Sequence, residues 1–157
     1  MYFSLIDRIE SIEVGKQIIA TKSLSLAEEY LRDHFPKFPV MPGVLMLEAL
    51  TQTSAWLIRV TDQFAHSLVV FKEARAVKYA RFVQPGQILR LAATITKIEN
   101  DLVTLKTEGT LEGQTNLKAQ LILRKYNLAD ESPEQNEVDK KIIENMKQQF
   151  NLLYRNH

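Results

Sequence analysis

The chain has 157 residues, enough for one domain around a single core, and is 45% apolar and 25% charged with a net charge of +1. So balanced a charge argues against nucleic acid or an anionic membrane as partner. With no cysteine, disulfides and thiolate zinc sites are excluded, and three scattered histidines (His34, His66, His157) give no metal-ligand spacing.

The opening "MYFSLIDRIE" meets Asp7 and Arg8 too soon for a secretory signal. The longest apolar stretch, near Val40 to Leu50, is broken by Pro42, Gly43 and Glu48, and it falls far short of the roughly 20 residues that span a bilayer. A soluble, intracellular protein of the cytoplasm is expected. Residues 8–14, "RIESIEV", alternate apolar and polar as a half-buried strand does; Gly15-Lys16 turns the chain, and "QIIATKSL" returns as a second strand. "SLAEEYLRD" reads as one or two helical turns, with Ser25 as N-cap and Glu28 three residues on. The prolines at 36–42 demand extended chain, since each disfavours helix in the residue before it.

From Pro42 the pattern predicts a helix of about five turns, "PGVLMLEALTQTSAWLIRV", apolar almost all round and therefore buried. Trp56 and Met46 read as core. Four strands follow: "SLVVFKEARAVKYA", "QILRLAATITKIE", "LVTLKTEGTLE" and "TNLKAQLILRKY", separated by the turn pairs Pro85-Gly86, Asn100-Asp101 and Glu112-Gly113. The expected fold is α+β: an antiparallel meander wrapped around one long helix. His66, after the helix, has no supporting neighbours in the sequence. Past Tyr126, "NLADESPEQNE" reads as a polar linker, with Ser132, Pro133 and Gln135 in N-cap, first-turn and capping-box positions. Val138, Ile142, Met146, Phe150 and Leu153 or Tyr154 then recur at steps of three or four, an amphipathic helix over about 133–154. The chain thus divides into 1–126 and an appended 127–157, which has three places to rest: its own sheet, a partner subunit or another protein.

The chemistry concentrates in residues 34–52, "HFPKFPVMPGVLMLEALTQ". An imidazole at His34 precedes the helix, and a carboxyl at Glu48 sits in its second turn. Desolvation pushes such a carboxyl's pKa up, and the positive end of the helix dipole opposes the shift. An acid and a base in separate environments are what proton-transfer catalysis requires. The N–H groups of Gly43 and Val44, in a first turn that offers no intrahelical acceptor, are placed to receive an oxygen gaining negative charge. Gln52, one turn after Glu48, is placed to hold its carboxyl.

This stretch resembles the motif of 3-hydroxyacyl-acyl-carrier-protein dehydratases of the FabZ type: His34, Phe35, Pro36, Pro39, Met41, Pro42, Gly43, Val44, Glu48, Ala49 and Gln52 all fall on it. "LIDRIESIEVGKQIIATKSLS", "YARFVQPGQILRL" and "GTLEGQTNLKAQLIL" are similar to the family's flanking strands, so the resemblance covers roughly residues 3 to 125. It implies a hotdog fold, a curved antiparallel sheet around a long central helix, here with an extra C-terminal helix. It implies homodimers, as trimers of dimers in many relatives, with each site taking histidine from one subunit and carboxylate from the other. His34 would remove a proton from C2 of a carrier-bound 3-hydroxyacyl thioester and Glu48 would protonate the departing C3 hydroxyl. Gly43 N–H would polarise the thioester carbonyl, and no cofactor takes part. Two positions depart from the pattern: Asp33 replaces the glycine before the histidine, and Phe38 stands where a second histidine is common. A second reading is therefore a non-catalytic hotdog acyl-binding or assembly subunit, and a third a hotdog thioesterase. The basic run Lys72, Arg75, Lys78 and Arg81 suits an acidic carrier protein, with period-2 alternation placing Arg75 and Arg81 on one face, opposite Lys72 and Lys78.

Overall fold

The computed structural model describes residues 3–32 and 37–155, so His34 and Asp33 lie outside the described residues. Six strands form one antiparallel sheet: β1 (Arg8–Glu13), β2 (Gln17–Ser23), β3 (Leu68–Tyr79), β4 (Ile88–Glu99), β5 (Leu102–Leu111) and β6 (Gln114–Tyr126). The helix α1 (Gly43–Thr61) lies against five of them, β2 to β6, and a second helix, α2 (Asn136–Leu153), follows the sheet. The turn pairs behave as their residues dictate. Glu112 and Gly113 both take positive φ, the two-residue turn whose twist matches its strands. Gly86 takes φ +91 after Pro85, and Gln87 N–H closes that turn on Gln84 O at 3.0 Å.

Strand order is β1-β2-β4-β5-β6-β3. The meander expected of the last four strands therefore holds only for β4, β5 and β6. After α1 the chain crosses to the far edge, where β3 pairs with β6 (Leu68 opposite Tyr126, Tyr79 opposite Leu117). Beside β4 that place is already filled by β2 (Gln17 opposite Thr94, Ser23 opposite Ile88). Shifts of register after Phe71 and Arg75, with Ala76 at positive φ, break the alternation of β3. The shared face expected of Arg75 and Arg81 is lost: Arg75 is held by Glu73 at 2.9 Å, and Arg81 lies past the end of the strand.

The core fills the space between α1 and the sheet, with Leu50, Leu57, Ile18, Leu89, Leu91, Leu105 and Leu121 fully enclosed, and Trp56 and Met46 join it. Three hydroxyls on the buried side of α1 satisfy themselves by bonding back one turn: Thr51 to Leu47 O, Thr53 to Ala49 O and Ser54 to Leu50 O. The helix is not enclosed all round, however. Val44 is 70% exposed, and Leu47 and Glu48 are only half-buried, so one apolar flank of α1 faces outward.

Local capping differs from expectation at two points. Residues 25–31 make a turn followed by a 3-10 turn at Glu29–Leu31 with Glu28 at its N-cap, and the Glu28 carboxylate is drawn to the buried Lys22 ammonium at 2.6 Å. In the tail, Ser132 makes no side-chain cap. Asn127 and Asp130 form the capping box of a preceding 3-10 turn, and Pro133–Gln135 form another 3-10 turn that leads into α2. The structure shows α2 within its own chain but on the C-terminal half of α1 rather than on the sheet, the resting place expected within the chain: Phe150 packs on Trp56 (ring centroids 6.0 Å) and on Phe64 (5.8 Å), and Met146, Leu153 and Tyr154 reach the core. Val138, expected inward, is 42% exposed; its neighbour Asp139 is the buried residue.

Candidate active site

Helix α1 carries the candidate site residues Gly43, Val44, Glu48 and Gln52 on two of its sides. At its start Pro42 is extended (φ −58, ψ 140), and the first intrahelical donors, Leu45 and Met46 N–H, bond to Pro42 O at 3.0 and 3.1 Å. The Gly43 and Val44 N–H groups precede these donors, the orphan position every helix start creates. Gly43 borders a depression of about 230 Å³ with Val40, Met46, Tyr79, Arg81 and Phe82. A Cβ at Gly43 would meet Tyr79 Cε1 at 3.2 Å, so the missing side chain lets that ring lie on the helix start. Burial pushes the Tyr79 phenol above its ordinary pKa. Phe38, the departure from the motif, meets the lining residue Phe82 edge to face at 5.5 Å.

Glu48 stands five residues further, about 7.5 Å along the axis and some 140° around it. It lines different depressions. One holds Val44, Leu47, Thr51 and Phe71; a longer groove of about 340 Å³ holds Phe3, Thr51, Gln52, Ala55, Trp56, Val69 and Phe71. Gln52 is bonded at both ends of its amide. Its oxygen accepts Leu5 N–H at 2.8 Å, and its nitrogen donates to Phe3 O at 3.2 Å and to Glu48 Oε1 at 3.3 Å. The N-terminal segment thereby orients the amide that holds the carboxylate.

Within one chain the structure brings Val44, Glu48 and Gln52 to one side of α1 and leaves Gly43 on another. Sequence reasoning missed Tyr79 and Phe82 near Gly43, and Phe71, Phe3 and Leu5 near Glu48. Their signal was weak, because each reaches the site from a distant segment. His66 does have a neighbour: its Nδ1 lies 3.5 Å from Asp62 Oδ2, which also pairs with Lys125. Among the described residues no cluster of potential metal ligands occurs, and no helix is long and apolar enough to cross a membrane.

Residues 1–120 match the model of the FabA-like domain. The 3-hydroxyacyl-[acyl-carrier-protein] dehydratase FabZ of Listeria monocytogenes serotype 4b is 36% identical over 120 residues, 76% of this chain and 83% of that protein. The protein of the same description from Janthinobacterium sp. (strain Marseille) is 37% identical over 132 residues, 82% and 85% of the two chains. Among solved structures, the dehydratase heterocomplex ApeI:P from Xenorhabdus doucetiae superposes with a TM-score of 0.64 at 17% identity, covering 84% of this chain and 89% of that one, a likeness of fold.

Proposed function

The chain belongs to the FabA-like domain family, and on that premise we propose that it dehydrates 3-hydroxyacyl-acyl-carrier-protein to the trans-2-enoyl thioester in fatty acid biosynthesis. The observation that carries this reading is a carboxylate, Glu48, oriented by Gln52 at the head of an apolar groove, on the helix whose first turn presents Gly43 and Val44 N–H. The thioester carbonyl accepts from Gly43 N–H, and the helix dipole stabilises the charge that gathers on its oxygen as C2 loses its proton. His34 takes that proton. The C2–H electron pair forms the C2–C3 double bond, the C3–O bond breaks, and Glu48 protonates the departing hydroxyl, which leaves as water. Atoms and charge balance with no cofactor.

Gly43 and Glu48 border separate depressions of one chain, and this favours a site completed across a homodimer: His34 and Gly43 N–H from one subunit, Glu48 from the other. The outward apolar flank of α1 and the edge strand β3 are the surfaces available for pairing. The acyl group arrives on a phosphopantetheine arm of an acyl carrier protein, and the pairing of dimers into trimers of dimers belongs to the same proposal.

The test follows both possible products. Incubation with a 3-hydroxyacyl thioester should give enoyl absorbance, lost by about 10²–10⁴-fold in His34→Ala and Glu48→Gln. Free thiol without enoyl would replace this reading with a thioesterase, and tight carrier binding with neither product would replace it with an acyl-binding subunit. Mixing the two inactive variants should restore activity, since a mixed dimer regains one intact site.

A further inference from the structure

The groove that starts at Glu48 does not end within the part of the chain that the FabA-like domain covers. From Glu48 it follows α1 past Ala55 and Trp56 to Arg59, with β3 residues Val69–Phe71 on its other bank, and Met146 of α2 lines it as well. Arg59 is 11 residues beyond Glu48, about 16 Å along the helix, long enough for a medium-length alkyl chain. Met146 lies between Asp139, which is bonded to Ser67 beside Arg59, and Phe150, whose ring lies on Trp56 and Phe64, so α2 meets the groove along the C-terminal half of α1, away from Glu48. The family match stops at residue 120 and α2 begins at Asn136.

The wall is firmly placed. Asp139, 3% exposed, accepts Ser67 Oγ–H and the N–H groups of Leu128 and Ala129, the last two at 2.9 Å. Asn127 accepts Ser67 N–H at 2.8 Å and donates to Ala65 O at 3.1 Å. A helix pinned at both its polar start and its aromatic end limits length, because its backbone cannot move away from a longer substrate.

We infer that α2, through Met146, is the end wall of the acyl groove and sets the longest 3-hydroxyacyl chain this protein accepts. The inference rests on the dehydratase reading and adds a specificity-determining element to it. A chain too short to reach Met146 is bound by the α1–β3 banks alone; one long enough to meet it must displace the thioether or α2 itself.

The test is kcat/KM over straight 3-hydroxyacyl thioesters of increasing length, using full-length protein, Met146→Ala and Met146→Phe, each normalised to its own value on the shortest chain. Met146→Ala should extend acceptance to longer chains, with a relative gain of about 10–200-fold per methylene newly housed. Met146→Phe should move the limit the other way. Opposite shifts support the inference, and an unchanged length profile in both folded variants overturns it. So does a loss of dimer by light scattering with the length profile intact, which would show the groove filled by a second copy. Wild-type protein that dehydrates no chain length would overturn the dehydratase reading, and this inference with it.

Discussion

A glutamine amide can hold a carboxylate only if something fixes which end of the amide faces it. At Gln52 the fixing group is Leu5 N–H, which takes the oxygen and leaves the nitrogen for Glu48 and Phe3 O. Gln52→Ala removes all three bonds. A hydrogen bond to a neutral carboxyl group, the form in which Glu48 donates its proton, contributes about 0.5–1.5 kcal/mol, so kcat should fall by about two- to tenfold with KM little changed; steady-state kinetics decide it. Gly109 is a residue of another kind, in the core rather than the site. A Cβ there would lie 2.7 Å from Leu117 Cδ2 and 3.2 Å from Leu89 Cδ1. Gly109→Ala is expected to cost about 1–3 kcal/mol through overpacking, read from the urea midpoint. The Gln52–Glu48 contact was legible in the sequence because four residues on a helix fix it. Leu5 and Phe3 were not, because they lie 47 and 49 residues away.

At the scale of the element, α2 shows how a helix with modest apolar content is held. Its heptad-like spacing placed Met146, Phe150 and Leu153 correctly, but Asp139 and not Val138 faces inward, because the start of the helix is anchored by polar contacts. Burial alone raises the Asp139 pKa; the hydrogen bonds from Ser67 Oγ and from Ala129 and Leu128 N–H outweigh it and leave the carboxyl below its ordinary value. The linkage sign follows. A depressed folded pKa gives stability that is fully present above the unfolded value, near pH 4, and is lost as pH falls through the lower folded value. Acid should therefore release α2. Trp56, the sole tryptophan and the partner of Phe150, reports the release by fluorescence. Asp139→Asn is expected to lower Tm and to flatten that acid transition; an unchanged acid limb would show that the anchor carries no such linkage.

The whole molecule leaves one side unfinished. β3 is twelve residues long, has β6 as its only partner among the described residues, and carries Val70 and Phe71 (48% exposed) beside the outward Val44 of α1. Long apolar edges of this kind seek a partner. Phe71→Glu should convert a dimer into monomer by light scattering, and on the two-chain site proposed above dehydration should fall with it. Deleting 127–157 should leave a folded hotdog of lower Tm, with Trp56 and Phe64 uncovered and Ser67 stripped of its bonds to Asn127 and Asp139. A chain that cannot fold at all would refute the division at residue 126. The sequence alone settled the elements, their turns and the motif, because periodicity, glycine–proline punctuation and helical spacing act over a few residues at a time. Only the tertiary structure decided that β3 crosses to the far edge, that its bulges scatter the basic run, that α2 folds back on α1, and that Gly43 and Glu48 border separate depressions. These features depend on which surfaces remain uncovered after the core closes, a property of the packed chain that no local pattern encodes.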